Sequence, residues 1–337
     1  MNQEKKSIEK VLITGITGFV GSHLADYILA EFPDVKVLGL TRWRAPKDNI
    51  KGILNKITLC SGDLLDMSSL ETILREHKPD AIFHLAAQSY VDFSFLAPIS
   101  TLETNVLGTA NLLETVKKLK QASGYDPVIH ICSSSEVYGQ VKENEVPIKE
   151  DNPFRPASPY AVSKVAEDML GLQYWLSWKI KTIRTRMFTH TGARRGEVFA
   201  ESAFAKQIAE IEAGLTPPVV RVGNLDSIRT FLDVKDAVKA YWLLAEKCTP
   251  GEVYNIGGVE TMTVKEMLNK LLKLSTKKDI KIEIEASRLR PSDVTLQIPC
   301  IDKFTNETGW KPDIKFDETL NDLLDYWRNY YKNNNGR

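Results

Sequence analysis

This chain of 337 residues lacks an excess of either charge and lacks long uncharged apolar runs. Lys plus Arg number 44 and Asp plus Glu number 44, so the formal net charge is +0. Because a nucleic-acid scaffold needs a basic excess, we expect no nucleic-acid partner. No run approaches the roughly 18 apolar residues of a membrane span, and the polar start Met1–Lys6 does not have the form of a signal peptide. We therefore expect a cytoplasmic protein without membrane contact.

Cysteine is also scarce. The four cysteines lie far apart and form no Cys-x-x-Cys pair, and the five histidines show no metal-binding spacing. A disulfide framework and a zinc site both need closer or paired spacing. We assign the cysteines to packing and expect no metal.

Short runs rich in Val, Ile and Leu alternate with helix-length segments in the first half of the chain. Five runs are predicted strands: Val11–Thr14, Val35–Leu40, Ile57–Cys60, Ala81–Leu85 and Val128–Cys132. Three segments between them are predicted helices: Gly21–Glu31, Ser68–His77 and Ile99–Gln121. Continuously apolar strands that are each followed by a helix indicate a parallel sheet covered on both faces. The fold prediction is a Rossmann-like, doubly wound α/β domain.

The alternation breaks down after Lys181–Thr185, where segments rich in Pro, Gly and charge appear. In an open α/β sheet the ligand lies beyond the carboxyl ends of the strands, so a later, irregular segment is well placed to cover it. We predict a cofactor-binding domain over residues 8–187, with residues 225–257 returning to it. A smaller C-terminal α/β substrate domain would contain residues 188–224 and 258–331.

A glycine-rich turn follows the first predicted strand. Gly15, Gly18 and Gly21 are three residues apart, and a predicted helix begins directly after them. Glycines let the backbone approach a pyrophosphate, and the helix N-terminus presents N–H groups to it. The spacing is not Gly-x-Gly-x-x-Gly, so the position between strand and helix carries this prediction of a dinucleotide site. Other candidate contacts in the turn are Thr17, Phe19 and Val20.

The end of the second predicted strand favours NADP over NAD. An NAD-binding protein usually places an acidic residue there, whereas this chain has Arg42 and Arg44. A guanidinium suits a 2′-phosphate. Two exposed loop arginines are the other interpretation, and NAD is the alternative cofactor. Asp63, followed by Leu64, could accept a hydrogen bond from the adenine amino group or could simply form a surface turn.

Two pairs of residues could carry acid–base chemistry. Tyr160 and Lys164 are four apart in a predicted helix, which sets them on one face, and a nearby ammonium would lower the pKa of the phenol. Ser134 and Glu136 are two apart on extended backbone, so both can point into the same crevice, where a carboxylate can move a proton. Each pair alone could equally be exposed polar residues.

Together these motifs resemble the extended short-chain dehydrogenase/reductases. The resemblance is carried by Gly-x-x-Gly-x-x-Gly, His84-Leu85-Ala86-Ala87, the serine before Glu136, and Tyr160-x-x-x-Lys164, and it runs from about residue 10 to about residue 330. Within that superfamily, five stretches are similar to the GDP-mannose 4,6-dehydratases and their sister GDP-4-keto-6-deoxymannose reductases. They are residues 86–91, 194–199, 222–229, 290–294 and 309–312.

The resemblance implies an NADP-dependent lyase, a hydro-lyase without net redox change. Tyr160, helped by Lys164 and Ser134, would take the proton of the hydroxyl on carbon 4 of a sugar as hydride passes to NADP. Glu136 would then take a proton from carbon 5, water would leave from carbon 6, and hydride would return to carbon 6. The resemblance also places three residues beside the cofactor: Leu85, Ala86 and Ala87.

The implied substrate is a GDP-sugar. Arg229 and Arg290 are candidates for the diphosphate, because guanidinium groups form bidentate hydrogen bonds to it. Further substrate candidates are Ser89, Ser135, His190, Arg195, Glu197, Lys206, Arg221 and Asp293. The dehydratases carry Phe-Asn-His where this chain has Phe188-Thr189-His190. The sugar, GDP-mannose or a heptose such as GDP-manno-heptose, therefore stays open.

Two other functions and two assemblies are weighed against this interpretation. A reductase of a GDP-4-keto-6-deoxy sugar, or a carbon-4 dehydrogenase or epimerase, would use the same fold, and a non-catalytic dinucleotide-sensing protein would typically lack Tyr160 and Lys164. The order Arg42-Trp43-Arg44 departs from the paired arginines with which the dehydratases contact a neighbouring subunit. We therefore expect a homodimer through helices around Ile99–Gln121 and Ser158–Leu176, with a homotetramer as the alternative.

Overall fold

The computed structural model describes residues 7–289 and 294–334 and centres on a parallel sheet. In the described residues this sheet has seven strands, in the order β11-β6-β5-β4-β1-β2-β3. They are β1 (Lys10–Thr14), β2 (Lys36–Thr41), β3 (Thr58–Ser61), β4 (Ala81–His84), β5 (Val128–Ser134), β6 (Thr182–Met187) and β11 (Val253–Ile256). The doubly wound, Rossmann-like prediction and the five predicted strands are confirmed, with strand ends within two residues.

Helices cover both faces of this sheet because its strands are apolar on both sides. On β1, Val11 and Ile13 join one core while Leu12 joins the other, as the alternation of side chains along a strand requires. The first face is covered by α1 (Phe19–Glu31) and α8 (Val234–Lys247). The opposite face is covered by α2 (Met67–His77), α5 (Gly108–Ser123) and α6 (Pro159–Trp178).

The helix predicted over Ile99–Gln121 is interrupted, which corrects that prediction. After α3 (Val91–Leu96), the chain forms α4 (Pro98–Leu102), a π-helical turn (Glu103–Leu107) and then α5. The buried Asn105 in this turn donates to the carbonyl of Gln88 at 3.0 Å and to Oγ of Ser163 at 2.8 Å. These tertiary hydrogen bonds turn the side chain toward the end of β4 and toward α6, where a regular helix would not direct it.

A second, smaller α/β unit follows the main sheet. Its core is separate and is covered by α7 (Ala200–Glu212), α9 (Val264–Leu274) and α11 (Phe316–Asn334). Its strands are β8 (Val219–Val222) paired with β13 (Lys281–Ile284), and β9 (Ile228–Thr230) between β12 (Thr261–Thr263) and β14 (Leu296–Gln297). The short strands β7 (His190–Thr191) and β10 (Leu232–Asp233) pair with each other.

The chain crosses between the two units more than once. Because β11 pairs with β6, the segment that contains α8 and β11 returns to the main sheet. In α10 (Asp302–Thr308), however, Phe304 packs in the first core together with Trp310. The predicted substrate segment 258–331 therefore includes residues that pack on the sheet unit, since the ring of Phe304 contacts Tyr254 of β11 edge to face. Across residues 7–289 and 294–334, the helices are too short or too polar to cross a bilayer.

Candidate active site

A cleft of about 1010 Å³ opens at the carboxyl ends of the main strands. It follows the turn after β1, the ends of β4 and β5 and the start of α6, and it reaches α7 and β9 of the second unit. The sheet order reverses between β1 and β4, and ligands of open α/β sheets bind at such a reversal. The cleft is therefore the place to look for chemistry.

The glycine turn forms one wall of the cleft and fits a pyrophosphate. Gly15 has a φ of 73°, and a Cβ at this position would lie 2.9 Å from the backbone N and Cα of Ala86. A Cβ at Gly21 would lie 2.3 Å from the carbonyl oxygen of Gly15. Helix α1 begins after Gly18 with neither a side-chain cap nor an acidic residue in its first turn. Its first N–H groups and its positive dipole end are thus available to an anion.

A buried network fixes the ends of β1 and β4 side by side. The hydroxyl oxygen of Thr14 lies 2.9 Å from Nδ1 of His84 and accepts from the N–H groups of Leu85 and Ala86 at 3.1 Å. Nε2 of His84 lies 2.9 Å from the hydroxyl of Thr109. Burial, with a smaller contribution from Lys164, lowers the pKa of His84 to about 3. This histidine is therefore neutral and serves to hold the two loops.

Every predicted cofactor residue lines the cleft. The set is Gly15, Thr17, Gly18, Phe19, Val20, Gly21, Arg42, Asp63, Leu64, Leu85, Ala86, Ala87, Tyr160 and Lys164. Arg42 reaches the cleft directly after β2, whereas Arg44 stacks over the ring of Trp43 at 4.3 Å and does not line it. Oδ1 of Asp63 also accepts the N–H of Leu65 at 3.0 Å, so this residue both lines the cleft and shapes the turn.

Tyr160 and Lys164 lie together as the helical spacing predicts. The hydroxyl of Ser158 caps α6 by accepting the N–H of Ala161 at 3.0 Å, and Pro159 occupies the first turn. Nζ of Lys164 lies 5.9 Å from the ring centre of Tyr160 and donates to the carbonyl of Cys132 at 2.9 Å. Both side chains are buried and line the cleft.

The pKa of Tyr160 moves in the direction opposite to the prediction. Burial raises it, and this effect exceeds the lowering by the charge of Lys164 and by the hydroxyl of Ser134. The ammonium of Lys164 also forms an ion pair with Glu167, whose Oε2 lies 2.9 Å from Nζ. The predicted lowering is therefore wrong for these protein groups, because desolvation of a fully buried phenol disfavours its anion.

Ser134, the last residue of β5, and Glu136 also come together at the cleft, although Glu136 lies in a 3-10 turn and not on the extended backbone predicted for it. Ser134 caps a short 3-10 turn (Ser135–Tyr138) and accepts the N–H of Glu136 at 3.2 Å, and both residues line the cleft. The buried amide of Gln297 donates to Oε1 of Glu136 at 3.4 Å. Its oxygen accepts from Ser135 at 3.0 Å and from Arg229 at 2.9 Å. Gln297 thus joins Glu136 to Arg229 across the two units.

His190 and Arg195 line the cleft beside the glycine turn. The His190 ring stacks on Phe19 at 5.8 Å, and the Arg195 guanidinium lies 5.2 Å from the Phe19 ring centre and 3.6 Å from that of Phe199. Burial, followed by the charge of Arg195, lowers the pKa of His190 to about 3. Within the described ranges, Nε2 of His190 and Nε of Arg195 are buried without a hydrogen-bond partner. Both atoms are therefore available to a ligand next to the turn.

The remaining substrate candidates divide into three groups. Ser89, Ser135 and Arg229 line the cleft. Glu197, Lys206 and Arg221 lie outside its lining: the first two form an ion pair with each other, and the third is exposed on β8. Arg290 and Asp293 lie outside the described residues.

Sequence reasoning missed several residues of the cleft wall. They include Gln88, Tyr90, Phe199, Glu201, Asn224, Arg288 and Gln297. Tyr90 and Phe199, whose rings meet edge to face at 6.3 Å, lie inside stretches that already carried the resemblance, so they could have been found. Gln297 sits 161 residues from Glu136, and no local pattern marks it.

Comparison with known proteins agrees with this geometry. The family model described as GDP-mannose 4,6 dehydratase matches residues 12–323. A GDP-6-deoxy-D-mannose reductase of Pseudomonas aeruginosa is 32% identical over 319 residues, which cover 95% of this chain and 97% of the relative. A GDP-mannose 4,6-dehydratase of Vibrio cholerae is 30% identical over 359 residues, with coverages of 94% and 93%. The structure of RMD from Pseudomonas aeruginosa complexed with NADPH matches with a TM-score of 0.82 at 31% identity, covering 96% of this chain and 99% of that one. The chain belongs to the GDP-mannose 4,6 dehydratase family.

Proposed function

We propose that the protein is an NADP-dependent 4,6-dehydratase of GDP-mannose or of a related GDP-sugar such as GDP-manno-heptose. The observation that carries this proposal is the meeting of two proton-transfer groups in one cleft. Tyr160, with Lys164 behind it, and Glu136, two residues after Ser134, both line the carboxyl end of β5. Oxidation alone needs the phenol, whereas elimination of water needs the second base.

The cleft also supports NADP as the cofactor. Gly15, Gly18 and Gly21 would hold its pyrophosphate at the start of α1, and Arg42 would bind its 2′-phosphate. Bound NADP would supply a hydride acceptor and then a hydride donor. We expect Arg42→Ala to weaken NADPH binding by about tenfold or more while leaving NADH binding nearly unchanged. Fluorescence titration of both nucleotides measures this, and equal losses for both would remove Arg42 from the 2′-phosphate site.

His190 and Arg195 belong with the cofactor in this proposal, although the sequence assigned them to the substrate. Both pack against Phe19 of the glycine turn, and within the described chain each has a buried nitrogen without a hydrogen-bond partner. The Arg195 guanidinium is a cationic donor that suits a diphosphate. The neutral His190 ring donates from Nδ1 to the Phe188 carbonyl, so its Nε2 can only accept, for example from a ribose hydroxyl.

The reacting sugar would lie between Tyr160 and Glu136. Tyr160 accepts the proton of the carbon-4 hydroxyl, while Ser134 and Lys164 stabilise the phenolate. The ketone at carbon 4 acidifies carbon 5, from which Glu136 takes a proton and passes it to the hydroxyl leaving carbon 6. Water departs and leaves a 4-keto sugar with a double bond between carbons 5 and 6. The hydride taken from carbon 4 would return from bound NADP to carbon 6, and carbon 5 would regain a proton, balanced by the one that Tyr160 took from the carbon-4 hydroxyl. The sugar would then be the 4-keto-6-deoxy product. We propose that the second unit is the substrate domain, with Arg229 on the diphosphate.

Incubation of the purified protein with GDP-mannose and no added cofactor tests the proposal. The expected product is lighter than the substrate by one water, and mass spectrometry detects it. Tyr160→Phe is expected to abolish turnover while NADPH binding persists. Glu136→Gln is expected to allow carbon-4 oxidation but to stop elimination. Full product formation by the Glu136→Gln chain would contradict the assignment of the second base.

A reductase of GDP-4-keto-6-deoxy sugars is the second candidate. It is favoured by the 32% identity to the GDP-6-deoxy-D-mannose reductase. This enzyme would consume one NADPH for each 4-keto sugar reduced and would release no product from GDP-mannose alone. Product formation from GDP-mannose without added cofactor therefore indicates the dehydratase, whereas consumption of NADPH with a 4-keto sugar indicates the reductase.

We also propose a homodimer built through α5, α6 and the π-helical turn before α5. Large apolar side chains are exposed there: Leu107 at 54%, Val162 at 46% and Leu176 at 60%. Exposed apolar side chains gathered on neighbouring helices mark an interface. Leu176→Glu is expected to shift the mass measured by sedimentation from dimer to monomer. A monomeric unaltered chain would refute this assembly, and a tetramer would show that a further surface takes part.

A further inference from the structure

Glu167 is a buried carboxylate that takes no part in the proposed steps. Its Oε2 atom lies 2.9 Å from Nζ of Lys164, one helical turn earlier on α6. The side chains of the two residues are 1% and 6% exposed. Within the part of the chain that the structure describes, Oε1 of Glu167 is buried without a hydrogen-bond partner.

Stability does not account for this carboxylate. A buried ion pair must offset the desolvation of both charges, and an unsatisfied buried oxygen adds a further cost. An apolar side chain of similar volume would pack against the sheet without that cost. The role of Glu167 must therefore be sought in what it does to Lys164.

We propose that Glu167 is a positioning residue that holds the Lys164 ammonium against the Cys132 carbonyl and offsets part of its charge at Tyr160. This inference rests on the proposed function, in which Tyr160 is the first base. The ammonium donates to the Cys132 carbonyl and to Glu167, each at 2.9 Å, and lies 5.9 Å from the Tyr160 ring centre. Two of its three N–H groups thus have fixed acceptors, and the side chain lines the cleft.

The pKa shifts have the signs that this role requires. Burial opposes the charge on Lys164, but Glu167, with smaller contributions from Tyr160 and Cys132, raises the pKa of Lys164, which stays protonated. Burial raises the pKa of Tyr160, Lys164 lowers it, and Glu167 raises it again. The other titratable groups near Glu167 are Asp168 on α6 and Cys132 on β5. Asp168 is itself paired with two buried arginines, so Glu167 remains the main negative charge acting on the pair.

Glu167→Gln tests the proposal, because it removes the charge and keeps an acceptor of the same length. With Glu167 neutral, the full charge of Lys164 acts on Tyr160, so the pKa of the phenol falls. We expect the alkaline titration of Tyr160, read as the tyrosinate absorbance that Tyr160→Phe removes, to shift down by about half to one pH unit. Burial raises the pKa of Glu167 itself to about 7, so the comparison is made in the alkaline range, where this carboxylate is ionised. A purely structural role would lower kcat at every pH and leave the tyrosinate midpoint in place.

Two variants serve as controls. Glu167→Asp keeps the charge and is expected to retain the midpoint of the unaltered chain. Glu71→Gln removes a carboxylate that forms an i,i+4 ion pair with Arg75, at 2.7 Å on α2, and is expected to leave the midpoint of Tyr160 unchanged. Where glutamine is not accommodated, Glu167→Met repeats the uncharged test.

The outcomes separate this inference from the proposed function. A folded, NADPH-binding Glu167→Gln or Glu167→Met chain with an unmoved tyrosinate midpoint overturns the role of Glu167. The titration needs no turnover, so it gives an answer even if GDP-mannose is not converted. Absence of turnover in the unaltered chain would instead overturn the proposed function.

Discussion

Replacing Gly21 by alanine tests whether the glycine turn holds the cofactor diphosphate. A Cβ at Gly21 would lie 2.3 Å from the carbonyl oxygen of Gly15 and 2.8 Å from Cα of Ile16. Both neighbours are backbone atoms, so no side-chain rotation relieves the clash. To reach ordinary van der Waals contact, the turn and the start of α1 must separate by about 1 Å.

This separation moves the N–H groups that would bind the diphosphate. Hydrogen bonds to a charged group contribute about 1.5–3 kcal/mol each, and a displacement of about 1 Å breaks them. The loss of one or two such bonds costs about 1.5–6 kcal/mol, which weakens NADPH binding roughly tenfold or more. Gly52→Ala is the matched control, because a Cβ there would meet no atom within 4 Å. We expect it to bind NADPH like the unaltered chain.

NADPH fluorescence titration gives the dissociation constants, and urea unfolding followed by circular dichroism confirms that each variant is folded. The informative comparison is between two folded alanine variants that differ only in what their Cβ meets. A folded Gly21→Ala chain that binds NADPH within about threefold of the Gly52→Ala chain would refute the placement of the diphosphate on this turn.

Two further predictions concern side chains that support the cleft, Asp168 on α6 and Gln297 in its wall. Asp168→Asn is expected to lower the free energy of unfolding by about 3–5 kcal/mol in urea, because it leaves the buried guanidinium groups of Arg184 and Arg186, at 2.7 and 2.8 Å, without their counter-charge. A loss below about 1 kcal/mol would contradict this. Gln297→Leu is expected to slow elimination about tenfold or more while carbon-4 oxidation persists, because Glu136 loses its amide partner. Equal slowing of both steps, measured by product mass and NADPH absorbance, would contradict it.

The sequence predicted those features that depend on local patterns. The five strands predicted in the first half of the chain are buried on both sides of the sheet, so their sequences are continuous apolar runs. The ends of these runs predicted the ends of the strands to within two residues. The pair Tyr160 and Lys164 follows from helical spacing, and the glycine turn follows from its place between strand and helix. Each of these features is decided by neighbours within one turn of helix or one strand.

Features decided by distant contacts could not be predicted. The π-helical turn depends on the hydrogen bond from Asn105 to Ser163, 58 residues later. Lys206 was a reasonable substrate candidate by charge, but Glu197 from the preceding loop binds it instead. Glu167 stands at a visible helical spacing from Lys164, yet a glutamate in a helix is usually exposed, and only the packing of α6 on the sheet buries it.

The two proton-transfer groups of the cleft are held by different parts of the chain, which suggests how relatives with the same fold could catalyse different reactions. Tyr160 and Lys164 are held entirely within the sheet unit, by α6 and by the Cys132 carbonyl at the end of β5. Glu136 instead receives its side-chain partner from Gln297 of the second unit, which pairs in register with Arg229 of β9. In the proposed function, the groups for hydride chemistry therefore lie in the sheet unit, whereas the base for elimination is held by a contact between the two units. It follows that the second unit, through the residue opposite Glu136 and the arginine beside it, should decide between dehydration and simple reduction.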